Sequence, residues 1–110
     1  MPIYISRGCY TADAVRGMMA KPEDRETSIA SVFEKLGGKL LGYYVTLGEF
    51  DWLIIAEFPN EKAASSAMLV AVAGGSVCNV QTTVAMTAKQ AMEAFSGADA
   101  VAKSFKSAGR

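Results

Sequence analysis

The chain contains no histidine. Imidazole is the usual general base near neutral pH and the commonest metal ligand. Its absence excludes Ser-His and Cys-His nucleophiles, His-ligated zinc and His-ligated haem. Chemistry here must use carboxylates, Tyr, Lys, Arg, Cys or a borrowed cofactor. Only two cysteines are present, Cys9 and Cys78. They form no CxxC and no metal spacing, so they read as buried, reduced thiols. No metal site and no resident cofactor are expected. Net charge is also missing, since eleven acids balance eleven bases. Such a chain has no overall field to draw it to nucleic acid or to an anionic membrane. No apolar run approaches the roughly 20 residues of a membrane helix. The start, MPIYISRGCY, enters a strand-like pattern with no basic region ahead of it, so no signal peptide is expected and the location is read as cytoplasmic.

What is present is 51% hydrophobic over 110 residues, enough for one core. Ile3 to Tyr10 alternates as a strand does, with Arg7 on the Ile face. Thr11 caps a short helix from Ala12 to Ala20, and Pro22 interrupts it or opens a second. Ile29, Val32, Phe33 and Leu36 then repeat at helical spacing until Gly37-Gly38 stops them. Lys39 to Leu47 is a second strand, with Leu41, Tyr43, Val45 and Leu47 on one face and Leu40, Gly42, Tyr44 and Thr46 on the other. A short turn at Gly48-Glu49 leads into a third strand, Phe50 to Phe58. Glu61 to Ala73 is an alanine-rich helix, and Val77 to Met86 a fourth strand.

The order β-α-β-β-α-β predicts an α+β, ferredoxin-like domain: a four-stranded antiparallel sheet with helices on one face. It spans residues 1–87. Residues 88–110 are a helical extension opened by a capping box at Thr87 and Gln90 and broken at Ser96-Gly97. Helices on one face should leave the other polar. Instead, the second and third strands carry large apolar side chains on both faces, so the open face should be covered too. A second subunit packed sheet to sheet, giving a dimeric α+β barrel, is the simplest cover. The alternative is that the C-terminal helix folds over it as a lid.

Three stretches, GCYTADAVRGM, LGGKLLGYYVTLGEFD and GGSVCNVQTTVAMT, together resemble the GYD domain family. Its Gly-x-Tyr-Asp signature stands here as Gly48-Glu49-Phe50-Asp51, with phenylalanine in place of tyrosine. The resemblance covers about residues 3–90. It implies a ferredoxin-like fold of the dimeric α+β barrel type, and no established reaction. The change to Phe50 removes a phenol that acid–base chemistry at this turn would need.

The candidate ligand-binding residues are Arg7, Tyr43, Asp51, Trp52 and Glu57. Asp51 either fixes the turn by accepting backbone N–H groups or places a carboxylate at a cavity mouth. Arg7 and Glu57 lie on strands that are neighbours at the sheet centre. They read as an ion pair there, or as a guanidinium that binds an acidic ligand. Tyr4, Tyr10, Tyr43, Tyr44, Phe50 and Trp52 either pack the core and interface or line a pocket for a small organic molecule. Gly74-Gly75-Ser76 lacks the ending of a phosphate loop and precedes a strand. Lys103, Lys106 and Arg110 are a solvated helix end. The leading functional reading is a homo-oligomeric binding or assembly protein with a small apolar and aromatic cavity at the sheet face. The alternative is a cofactor-independent enzyme, a monooxygenase or isomerase of the dimeric-barrel type. A ligand sensor is a third.

Overall fold

The computed structural model describes residues 1–109. The elements are β1 (Ile3–Tyr10), α1 (Ala12–Ala20), α2 (Arg25–Lys35), β2 (Lys39–Val45), β3 (Trp52–Glu57), α3 (Glu61–Ala73), β4 (Val77–Ala85) and α4 (Ala88–Ala102). The strands form one sheet in the order β2-β3-β1-β4, with every neighbour antiparallel. This is the ferredoxin-like α+β arrangement that the element order predicts.

Each helix starts where a short polar side chain satisfies a free N–H of the first turn. Thr11 accepts from Ala14 N–H at 3.2 Å, Asp24 from Glu26 at 3.0 Å, and Asn60 from Ala63 at 2.9 Å. Pro22 falls between α1 and α2 and so separates two helices. At the end of α2, Gly37 adopts φ +78°. Its N–H donates to Glu34 O at 3.0 Å and that of Gly38 to Phe33 O at 2.9 Å, the paired bonds of a Schellman motif.

The core lies between the sheet and the helices. Tyr4, Trp52, Ile54, Ala56 and Phe58 meet Phe33 of α2 and Ala64 and Ala67 of α3. Phe58 is almost fully enclosed, with its ring 4.9 Å from Phe33 and edge-on to Tyr4 at 5.8 Å. Burying one such ring contributes about 1.5–3 kcal/mol.

Strict alternation fails in β2. An irregularity between Leu40 and Gly42 inserts an extra residue, and Leu40 and Tyr43 therefore both pack against the core. Expected on the same face as Tyr43, Leu41 is the extra residue and is exposed. The open face carries Ile3, Ile5, Leu53 and Ile55, flanked by exposed Tyr44 and by Thr83 and Gln81 of β4.

The lid expectation is overturned. From Lys89 to Gly109 every residue is exposed except the half-buried Ala91. The capping box forms, with Thr87 accepting from Gln90 N–H at 3.1 Å and Gln90 accepting from Thr87 N–H at 2.9 Å. The helix then runs through Ser96 and Gly97 without the expected break, because one exposed glycine costs a helix only about 1 kcal/mol. It projects from the body, and the molecule extends 61 Å along its longest axis. Met92, Phe95, Val101 and Phe105 stay in solvent.

Candidate functional site

A cavity of about 570 Å³ lies on the helix side of the sheet. That is within the range of pockets that hold small molecules. The sequence reading places a cavity on the open face instead. The difference arises because the helix layer is incomplete: α1 has no buried residue, and α3 presents small alanines to the sheet.

Its floor is aromatic. Tyr10 ends β1, Tyr43 comes from β2 and Trp52 opens β3, and all three line it. Met18 of α1, Ile29 of α2 and Met68 of α3 close it from the helix side. Methionine adapts its shape to varied apolar ligands. The Tyr10 and Tyr43 hydroxyls hydrogen-bond to each other at 2.5 Å. Burial, and secondarily the bond to Tyr10, raises the Tyr43 pKa well above its usual value of about 10, while Arg25 opposes the rise. Tyr43 is therefore a neutral phenol at physiological pH, able to donate or accept a hydrogen bond. Charge gathers at the mouth. Asp13 lines it and is highly exposed, and Glu23 accepts from Arg25 at 2.8 Å.

Trp52 holds the floor to β1. Its indole N–H donates to Cys9 O at 3.3 Å, and the ring lies against Gly8. A Cβ at Gly8 would stand 2.6 Å from Trp52 Cζ2 and 3.0 Å from Cys78 O, so only glycine admits the ring this close.

Two of the five candidates, Tyr43 and Trp52, come together in this cavity; Arg7, Asp51 and Glu57 do not line it. Asp51 Oδ2 accepts from Tyr10 N–H at 2.9 Å, its own N–H donates to Gly8 O at 2.8 Å, and its carbonyl accepts from Thr46 N–H at 2.8 Å. The signature turn is thus pinned to β1 directly beside the cavity floor. Arg7 is exposed on the open face, its guanidinium 4.5 Å above the Phe50 ring. It borders a smaller groove with Leu47, Glu49 and Phe50. The expected approach of Arg7 to Glu57 does not occur. Register pairs Arg7 with Leu53 and Glu57 with Ile3, four residues and about 13 Å apart along β1. Glu57 lies opposite Lys39 on its other side.

Sequence reading missed Met18 and Met68 as cavity residues, and it placed Tyr10 only among the aromatics that pack the core or line a pocket, not among the ligand-binding candidates. Strand parity offered a signal for Tyr10, which shares the helix side with Tyr4. The methionines have none, because a stripe of that kind equally describes core. The thiols also differ from expectation: Cys9 is half-buried and Cys78 exposed, because both sit on the open face and β4 is an edge strand. Among the described residues, no three Cys, Asp or Glu side chains group as metal ligands would. No described helix is long and apolar enough to cross a membrane.

Fold and cavity together define a ferredoxin-like α+β domain with a ligand-sized space between its sheet and helices. The GYD domain family model matches residues 4–95, and the chain belongs to that family. The match reaches into the first half of α4. No curated protein matches it in sequence. Among solved structures, FFRP-DM1 is 15% identical, with a TM-score of 0.48 over 78% of this chain and 100% of that one. A transcriptional regulator of Neisseria meningitidis in complex with L-Met is 19% identical, with a TM-score of 0.50 over 79% of this chain and 51% of that one. MtbAldR is 11% identical, with a TM-score of 0.54 over 78% of this chain and 52% of that one. This chain spans about half the length of those two proteins. At these identities the likeness is one of fold.

Proposed function

We propose that the protein is a homo-oligomer that binds a small organic molecule in the helix-side cavity. The single observation that carries this is the paired Tyr10 and Tyr43 hydroxyls set among apolar and aromatic side chains in a cavity of about 570 Å³ whose charged residues gather at the mouth. The fitting ligand has an apolar or aromatic body and one neutral group that hydrogen-bonds to the phenols. A solved relative in fold, the Neisseria meningitidis regulator, is complexed with L-Met, which is in keeping with a domain that takes a small molecule.

The open face supports the oligomer. Ile3, Ile5, Leu53 and Ile55 form an apolar strip that a second sheet would cover, as in a dimeric α+β barrel. A cofactor-independent enzyme has less support. It needs a base beside the bound molecule; a Tyr43 held neutral is a poor one, and the carboxylates that line the cavity, Asp13 and Glu23, are exposed at its mouth.

The test is native mass spectrometry of protein purified from its own source, beside its denatured mass. An oligomer carrying a reproducible small extra mass is expected. Gly17 offers the control, since it lines the cavity and a Cβ there meets nothing within 4 Å. Gly17→Phe should lose the extra mass and keep both oligomer and fold. A monomer would refute the assembly reading, and an extra mass unaffected by Gly17→Phe would refute the cavity.

A further inference from the structure

We propose that Cys9 and Cys78 are a dithiol site that small disulfides oxidise to an intramolecular cross-strand bond. The argument rests on register and is independent of the ligand reading. Cys9 and Cys78 are direct partners across β1 and β4. Directly opposed residues of an antiparallel pair project to the same face, with Cα atoms about 4.5–5.5 Å apart. A disulfide accepts about 4.4–6.8 Å. The two thiols are free, and they are the only cysteines in the chain.

The local backbone supports closure. Between the pairs Arg7–Gln81 and Cys9–Cys78, β1 advances two residues and β4 three, so β4 is bulged at this point. Asn79 takes φ +53° there. Bulges bend the strand and increase its twist, which re-aims the flanking side chains. Access is also provided, because in the single chain Cys78 is exposed on the edge strand, and the Cys9–Cys78 pair lies at the end of the sheet beyond the apolar strip of Ile3, Ile5, Leu53 and Ile55. Cys9 is half-buried, and its thiol donates to Glu49 O at 3.6 Å, in the signature turn.

These positions give an order of events. The Cys78 thiolate attacks one sulfur of the small disulfide and expels one thiolate, leaving a mixed disulfide. The Cys9 thiolate then attacks Cys78 Sγ, forming the protein S–S bond and expelling the second thiolate. Two protein thiols are oxidised, one small disulfide is reduced to two thiols, and the two protein protons pass to the released thiolates or to solvent. Oxidation draws Cys9 Sγ away from the Glu49 carbonyl. It acts on the residue whose own carbonyl holds the Trp52 indole, so the bond reports to the cavity floor.

The experiment titrates the full chain in buffers of oxidised and reduced glutathione. It is quenched with acid, alkylated and read by intact mass. The expected product is a monomer-mass chain lighter by two hydrogens, with both thiols protected from alkylation, fully reversed by dithiothreitol. Emission of Trp52, the only tryptophan, should follow the same curve. Cys78→Ser and Cys9→Ser should each stop at the glutathione adduct. A wild-type chain that also ends as glutathione adducts, that links only between chains, or that stays reduced where the single-cysteine variants react would overturn the proposal.

Discussion

Removing the carboxylate of Asp51 tests how the signature turn is held. Asp51→Ala deletes the acceptor of Tyr10 N–H, a bond of 2.9 Å in a partly buried place. The two backbone bonds of residue 51, to Gly8 O and from Thr46 N–H, survive the substitution. The loss is then one hydrogen bond to a charged group, plus the cost of an N–H left without a partner. Such a loss is about 2 kcal/mol. For a domain of this size that lowers Tm by on the order of 10 °C. Asp51→Asn keeps a neutral oxygen and should lose roughly half as much. Urea unfolding at one fixed protein concentration measures both, the fixed concentration being needed because association would add to apparent stability. The ranking expected is wild type above Asn above Ala. An alanine variant within about 0.5 kcal/mol of wild type, the range of ordinary surface changes, would refute the reasoning. If such a variant also lost ligand, Asp51 would belong to the binding site instead.

Four further outcomes follow from the geometry. The Tyr43 pKa is raised in the folded state, so the folded chain holds its phenolic proton more tightly than the unfolded one; stability should be full below about pH 10 and fall as pH rises above it. Tyr43→Phe should flatten that alkaline fall, which chemical unfolding from pH 8 to 11 would show. Gly8→Ala should destabilise by about 1–3 kcal/mol or more and shift Trp52 emission, because the new Cβ meets the indole at 2.6 Å; unchanged emission would contradict the close packing. Gly17→Ala should raise unfolding stability by about 0.5–1 kcal/mol, since it adds helix propensity in open space, and calorimetry would detect a failure to rise. Truncation after Met86 should leave the unfolding midpoint of dilute, monomeric protein nearly unchanged, because α4 buries no residue, while lowering oligomer mass or solubility; a large drop in the monomer's midpoint would show that α4 supports the body.

Much of the fold was legible because local chemistry and global arrangement agree. The alternation of Ile3 to Tyr10, the stripe through Ile29, Val32, Phe33 and Leu36, and the caps at Thr11, Thr87 and Gly37 are all short-range signals. They determined the order of elements and hence, with the handedness of crossovers, the sheet. The apolar character of both sheet faces was equally open to reading, since it needs only parity along a strand. Tertiary structure decided the rest. The bulge at Leu41 turned Leu40 inward, and no residue there announces it. Register set Arg7 opposite Leu53 and kept it from Glu57, while the same register brought Cys9 to Cys78 across 69 positions of sequence. The cavity arose on the helix side because the three helices, α1 with no buried residue and α3 with only small alanines buried, leave space over Trp52 that their sequences do not encode singly. Periodicity states which side of an element is apolar. Which partner that side meets, and how completely, is a property of packing among elements distant in the chain.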